Sequence, residues 1–219
     1  FDLAVNKSYH EMGQYWGGYV DIDKPFYFIP YDYYKNQKED TQGNPINRKV
    51  FEGKERLTEA GKKNITGLQA PVWSEIIKSD EQLEYMLLPK LYGLSERAWA
   101  KDPEWARETN PAEFEKKYQR AWSEFINVVG KRELPKLDHF KGGFSYRIPT
   151  PGVSVENGQL KANVLYPGLE IRYTTDGTEP TTSSKLYTGP ITEKGTITLK
   201  AFNSTGRGGR SVKYSLVAM

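Results

Sequence analysis

Apolar positions follow two periods along this chain. Up to Leu137 they recur every three or four residues or gather in short runs, and from about Pro149 they alternate with polar ones. Leu83, Met86, Leu87, Leu91 and Leu94 fall on one stripe of the helix predicted by EIIKSDEQLEYMLLPKLYGLSERAW, with Pro89 marking a kink or break. Asn110-Pro111-Ala112-Glu113 predicts the next helix start: a capping Asn, a Pro at the first helical position, and a Glu able to reach back to the cap's N–H. Phe114, Tyr118, Ala121, Trp122 and Phe125 then form its buried face, and Gly130 is placed to end it. Trp99 and Trp105, near helix ends, read as core. LTEAGKKN predicts a short helix with Thr58 as cap and Glu59 as first-turn acid.

Between these helical stretches, FDLAV at the start and ITGLQAPVW (65–73) read as strands. They are separated by a long aromatic loop punctuated by Gly13, Gly17, Gly18 and Pro25. The order strand, loop, helix, strand, helices is the texture of a parallel α/β fold. A closed barrel of this kind needs about 250 residues, so the segment to Leu137 is either a small α/β unit or a barrel whose beginning is absent. The later alternating pattern is different. VSVENGQLKANV places strands on either side of Asn157-Gly158, a strong hairpin signal, and EIRYTTDGTEP, TITLKAF and SVKYSLV add further strands. This predicts a small all-β sandwich. Asp176-Gly177 reads as a turn rather than a calcium loop.

The expected organisation is therefore α/β plus all-β: residues 1–137 as one domain, 138–149 as a linker, and 150–219 as the β-sandwich.

Composition narrows the chemistry. The chain has no cysteine, so disulfides, thiolate catalysis and Cys-based zinc sites are excluded. His10 and His139 are the two histidines, far apart, which gives a Ser-His-Asp triad or a His-rich metal site little material. A net charge of +3 spread over mixed signs offers no basic stripe for nucleic acid. No apolar run approaches the ~20 residues needed to span a membrane. The aromatic share is 13%, with 15 Tyr and 5 Trp, side chains that suit both cores and sugar-holding surfaces. The start at Phe1, without Met or leader, reads as a piece of a longer polypeptide.

The candidate chemistry lies at the two expected strand ends. In a parallel barrel, residues just after the C-terminal ends of strands face the active site. Asp2 follows one such end, and Trp73 with Glu75 close the other. Trp16, in QYWGGY, lies between glycines that would let backbone pass close to a ligand. Carboxylates accept sugar hydroxyls at about 1.5 to 3 kcal/mol each, and an indole supplies a flat apolar wall. Spacing alone leaves a second reading open: Glu75 as a first-turn acid worth about 0.3 to 1 kcal/mol to a helix, and Trp73 as a core residue.

FDLAVNKSYHEMGQYWGGYVD, ITGLQAPVWSEII and MLLPKLYGLSERAWA together resemble the last third of the catalytic barrel of glycoside hydrolase family 20, the β-N-acetylhexosaminidases. EIRYTTDGTEPTTSSKLYTGPI with TITLKAFNSTGRGGRS resembles the β-sandwich appended to bacterial chitobiase-like members. The resemblance spans nearly the whole chain. It implies the C-terminal part of a (β/α)8 TIM barrel followed by a small immunoglobulin-like β-sandwich, in a fragment without cofactor or metal.

By position, Trp73 matches a tryptophan lining the pocket for the terminal sugar, and Glu75 a carboxylate that binds its outer hydroxyls. Asp2 matches the acid of the family's Tyr-x-Asp motif, and Trp16 another pocket tryptophan. The tyrosine of that motif would lie immediately before Phe1. The family's catalytic Asp-Glu pair belongs to an earlier strand, so no catalytic residue is expected in this chain. In this family the substrate's own acetamido oxygen is the nucleophile.

The resemblance thus implies an N-acetylhexosamine-terminated glycan as substrate and a periplasmic, cell-surface or secreted bacterial enzyme. The partial barrel would need the missing N-terminal part of the polypeptide or another copy as partner. The competing reading is a non-catalytic carbohydrate-binding or interaction module acting through the β-sandwich.

Overall fold

The computed structural model describes residues 20–40 and 43–216, which divide into two compact units, 1–117 and 118–219. The strand expected at FDLAV, and with it Asp2, His10 and Trp16, lies outside the described residues.

The first unit is helical where it is described: α1 (Asp23–Tyr27), α2 (Tyr33–Asn36), α3 (Glu59–Lys63), α4 (Asp80–Leu87), α5 (Lys90–Trp99), α6 (Glu104–Arg107) and the start of α7 (Pro111–Val128). Its centre is aromatic. Trp105 is 2% exposed and stacks on Tyr27 with ring centroids 5.5 Å apart, while Phe114 meets it edge-on at 6.0 Å. Helix α5 approaches α1 closely because Gly93 has no side chain: a β-carbon there would lie 2.6 Å from the Ile22 carbonyl oxygen. One turn further along α5, Arg97 is buried with its guanidinium 5.4 Å from the Trp105 ring, and that burial lowers its pKa.

Several expectations for this unit are corrected. The segment 65–73 forms no strand; it runs without regular secondary structure into a turn at Glu75 and Ile76. A parallel strand is stable only when neighbours accept and donate its backbone hydrogen bonds, and among the described residues of this unit no ladder is present beyond the isolated bridge Glu39–Pro45. The helix expected from Glu75 starts later, at Asp80, where Ser79 accepts a hydrogen bond from the Gln82 N–H at 3.3 Å.

The leucine stripe is also divided, because the break at Pro89 resets the helical phase. Met86 is fully buried, whereas α5 buries Lys90, Gly93 and Arg97 and leaves Leu91 exposed. Trp99 is 90% exposed and not core, since it falls at the end of α5, off the face that meets α1.

The start of α7 follows the expected chemistry with one exchange of partner. Asn110 Oδ1 accepts from the N–H groups of Ala112 at 3.0 Å and Glu113 at 3.2 Å. The acid that reaches the cap's own N–H is Glu108, from the preceding side at 3.1 Å, and not Glu113.

The second unit begins within α7, whose residues Tyr118, Ala121, Trp122 and Phe125 are half-buried. Gly130 does not end the helical run. The chain continues through a π-type turn, Val129–Glu133, into α8 (Leu134–His139). Gly130 instead admits Pro167, whose carbonyl oxygen would lie 2.2 Å from a β-carbon at this position. His139 is exposed.

Two antiparallel sheets follow. β1 (Gly152–Glu156) pairs with β2 (Gln159–Asn163) through the turn at Asn157 and Gly158, whose φ values of 51° and 71° are the positive ones a two-residue hairpin of this kind requires. β3 (Glu170–Thr174), β4 (Lys185–Leu186), β5 (Gly195–Phe202) and β6 (Gly208–Leu216) form a sheet in the order β4-β3-β5-β6. Leu160 from the hairpin packs with Ile171, Ile191, Ile197, Leu199 and Leu216 in one core. Segment 138–149 is bonded into this unit: Asp138 accepts from the Tyr146 hydroxyl at 2.9 Å, from Asn203 Nδ2 at 2.5 Å and from the Ser204 hydroxyl at 2.9 Å.

Candidate functional site

Trp73 and Glu75 are both solvent-exposed, Trp73 with 48% of its surface accessible. The backbone that carries them has no regular secondary structure up to Ser74 and then turns, with the Ile77 N–H donating to the Ser74 carbonyl at 3.0 Å. Glu75 therefore stands in a turn that precedes α4, outside its first helical turn. The acids beside the N-terminus of α4 are Asp80 and Glu81, and the core tryptophan of this unit is Trp105. The first-turn role open to Glu75 from spacing alone is thus filled by Asp80 and Glu81. The indole of Trp73 is partly exposed, and the Glu75 carboxylate two positions on is exposed as well.

Asp2 and Trp16 lie outside the described residues. Among the described residues, no group of three or more His, Asp or Glu is arranged to hold a metal ion, and no helix is long and apolar enough to cross a membrane. Asp176 makes a local turn: its Oδ1 accepts from the Thr178 N–H at 3.0 Å and the Thr178 hydroxyl at 2.6 Å, bonds that lower its pKa.

A feature that sequence reasoning did not reach is a cleft in the first unit of about 630 Å³, lined by residues of α3 and α6 together with Ile29, Tyr31, Asp32 and Asp102. Its parts come from segments about 30 and 40 positions apart, a separation over which no local spacing rule operates. The one local signal was the aromatic loop that contains Tyr31.

Comparison with known proteins adds the family. Residues 1–102 match the model of the glycosyl hydrolase family 20 catalytic domain, and residues 133–211 that of the chitobiase/beta-hexosaminidase C-terminal domain. An N,N'-diacetylchitobiase of Vibrio harveyi is 33% identical over 217 residues, which is 94% of this chain and 23% of that protein. A beta-hexosaminidase of Vibrio vulnificus is 28% identical over 237 residues, 97% of this chain and 26% of that protein. A beta-hexosaminidase B of Pseudoalteromonas piscicida is 32% identical over 100 residues, 45% of this chain and 13% of that protein.

The chain thus joins a segment of a glycoside hydrolase catalytic domain to an accessory β domain. It is similar in its first part to the glycosyl hydrolase family 20 catalytic domain and in its second to the chitobiase/beta-hexosaminidase C-terminal domain. It spans about a quarter of the length of the two relatives that match nearly all of it.

Proposed function

We propose that this chain supplies part of the sugar-holding wall of a retaining, exo-acting β-N-acetylhexosaminidase that removes terminal N-acetylglucosamine or N-acetylgalactosamine from glycans. In this reading the Trp73 indole lies against the apolar face of the terminal sugar, and Glu75 accepts hydrogen bonds from its outer hydroxyls. Asp2 shares that task, and Trp16 closes the pocket from the loop. The observation that carries the reading is the likeness to an N,N'-diacetylchitobiase across 94% of the chain, with Trp73 and Glu75 inside the matched catalytic-domain segment and exposed.

Bond cleavage belongs to other residues. The acetamido oxygen of the substrate attacks the anomeric carbon as the aglycone oxygen is protonated, so the sugar itself replaces the enzyme nucleophile of the usual two-carboxylate scheme. The Asp that positions the acetamido group and the Glu that acts as acid and then base are expected in an earlier part of the same polypeptide, completing a TIM barrel that is followed along the chain by an immunoglobulin-like sandwich. A periplasmic, cell-surface or secreted location fits a glycan substrate.

A chromogenic N-acetylglucosaminide assay tests the division of labour. The 219-residue chain alone should give no turnover, and the intact protein should lose activity on Trp73→Ala. Turnover that co-purifies with the isolated chain, or full activity in the variant, would overturn the assignment.

A further inference from the structure

The cleft in the first unit stands apart from Trp73 and Glu75, neither of which lines it. Its apolar surface comes from Ile29 and Ala106, both buried, and Tyr31 stands at the edge with 38% of its surface exposed. Asp32, Glu59 and Asp102 share the lining with Lys62, Lys63 and Arg107, so the formal charges cancel.

Each carboxylate gives one oxygen to a cation. Asp102 Oδ2 accepts from Arg107 Nε at 2.8 Å, Glu59 Oε1 from Lys62 Nζ at 2.6 Å, and Asp32 Oδ1 from Arg56 Nη1 at 3.3 Å. The second oxygen of each makes no hydrogen bond to another described residue.

That arrangement selects a chemistry. Cation-held carboxylates are strong acceptors for hydroxyl donors, and the neighbouring ammonium and guanidinium groups donate to hydroxyl or carbonyl oxygens. An anion would meet three carboxylates and a cation would meet three positive groups, so a charged ligand is attracted and repelled alike. A neutral ligand with hydroxyls around its rim and C–H groups on its face matches the mixed acceptors and donors, the apolar surface and the exposed tyrosine ring. The volume lies within the ~300–1,000 Å³ usual for small-molecule sites, room enough for a disaccharide.

We infer that this cleft is a second carbohydrate-binding site, taking a neutral disaccharide unit of a glycan independently of the wall formed by Trp73 and Glu75.

Hydrogen–deuterium exchange of the intact protein, with a non-hydrolysable thio-linked N,N'-diacetylchitobiose as probe, tests this. Saturable protection is expected in peptides covering 29–32, 59–63 and 102–107. Tyr31→Ala and Asp102→Asn should each weaken it about tenfold, the loss of one good contact, and Trp73→Ala should leave it unchanged. Tyr31 is exposed, so Tyr31→Ala decides the matter if Asp102→Asn does not fold. Protection confined to the peptide carrying Trp73, or displacement of the probe from the cleft by inorganic sulfate, would overturn the inference. Protection around Trp73 reports separately on the wall.

Discussion

Gly130 and Pro167 meet so closely that a β-carbon on Gly130 would lie 2.2 Å from the Pro167 carbonyl oxygen and 2.9 Å from its nitrogen. Helix propensity argues for the opposite residue: within a helical run Ala is favoured over Gly by about 1 kcal/mol. The contact decides against it, because both atoms met are backbone and neither can rotate away. Gly130→Ala should therefore lower the stability of the second unit by about 2 kcal/mol or more. The midpoint of chemical denaturation followed by circular dichroism reads the sign directly, and an unchanged or raised midpoint would show that the backbone gives way.

Asp138 joins the end of α8 to the chain beyond β5 by accepting from Tyr146, Asn203 and Ser204. Asp138→Ala leaves the buried Tyr146 hydroxyl and the Asn203 amide without this acceptor, and we expect a loss of about 3 kcal/mol. Asp138→Asn keeps one acceptor oxygen and should cost about half as much. Equal effects of the two substitutions in a denaturant titration would show that the carboxylate does not organise this contact.

Tyr27, stacked on Trp105, has its phenol pushed up from 10.0 to about 12 by burial. An unfolded tyrosine ionises at about pH 10, so between that pH and about pH 12 the unfolded chain releases a proton that the folded one retains. The contribution of Tyr27 to stability is thus complete below about pH 10 and is lost as pH rises toward about 12. Stability measured across this window should fall less steeply in Tyr27→Phe, and a tyrosinate absorbance titration should show one late-ionising phenol disappear.

Glu108 shows the opposite sign. Its hydrogen bond with Lys117, together with those from the Asn110 and Thr109 N–H groups, lowers its pKa from 4.5 to about 2. The support it gives to the start of α7 is present above pH 4.5 and is lost as pH falls toward about 2. In Glu108→Gln the stability of the first unit should depend less on pH across that acid window, which thermal melts at several pH values would show.

Trp73 and Trp105 should separate binding from folding. Trp105→Ala removes a buried ring packed against Tyr27 and Phe114 and should cost about 3 to 5 kcal/mol. Trp73→Ala acts on an exposed indole and should change stability by no more than about 0.5 kcal/mol, while abolishing binding of the N-acetylhexosamine at the wall. Thermal melts with parallel sugar titrations check both halves, and a Trp73→Ala protein that unfolds would return Trp73 to a structural role.

Much of the local architecture was legible in the chain itself. Thr58 and Asn110 cap the helices expected of them, Asn157-Gly158 turns the hairpin, and the alternating segments after Pro149 became paired strands. The candidate wall was legible only in part: Trp73 and Glu75 could be named, but their exposure could not. The cleft was not legible, because its carboxylates and cations come from separate segments.

What the sequence by itself determined is chemistry whose donors and acceptors lie within a few residues of each other. A cap or a tight turn satisfies its own backbone, so its residues suffice to specify it. The tertiary structure decided everything that needs a distant partner: which tryptophan is core and which is exposed, that Gly130 makes room for Pro167 and does not stop a helix, and that segment 65–73 forms no strand. The physical reason is the same in each case. Burial, close approach and strand pairing are properties of two surfaces brought together, and a single stretch of chain carries only one of them.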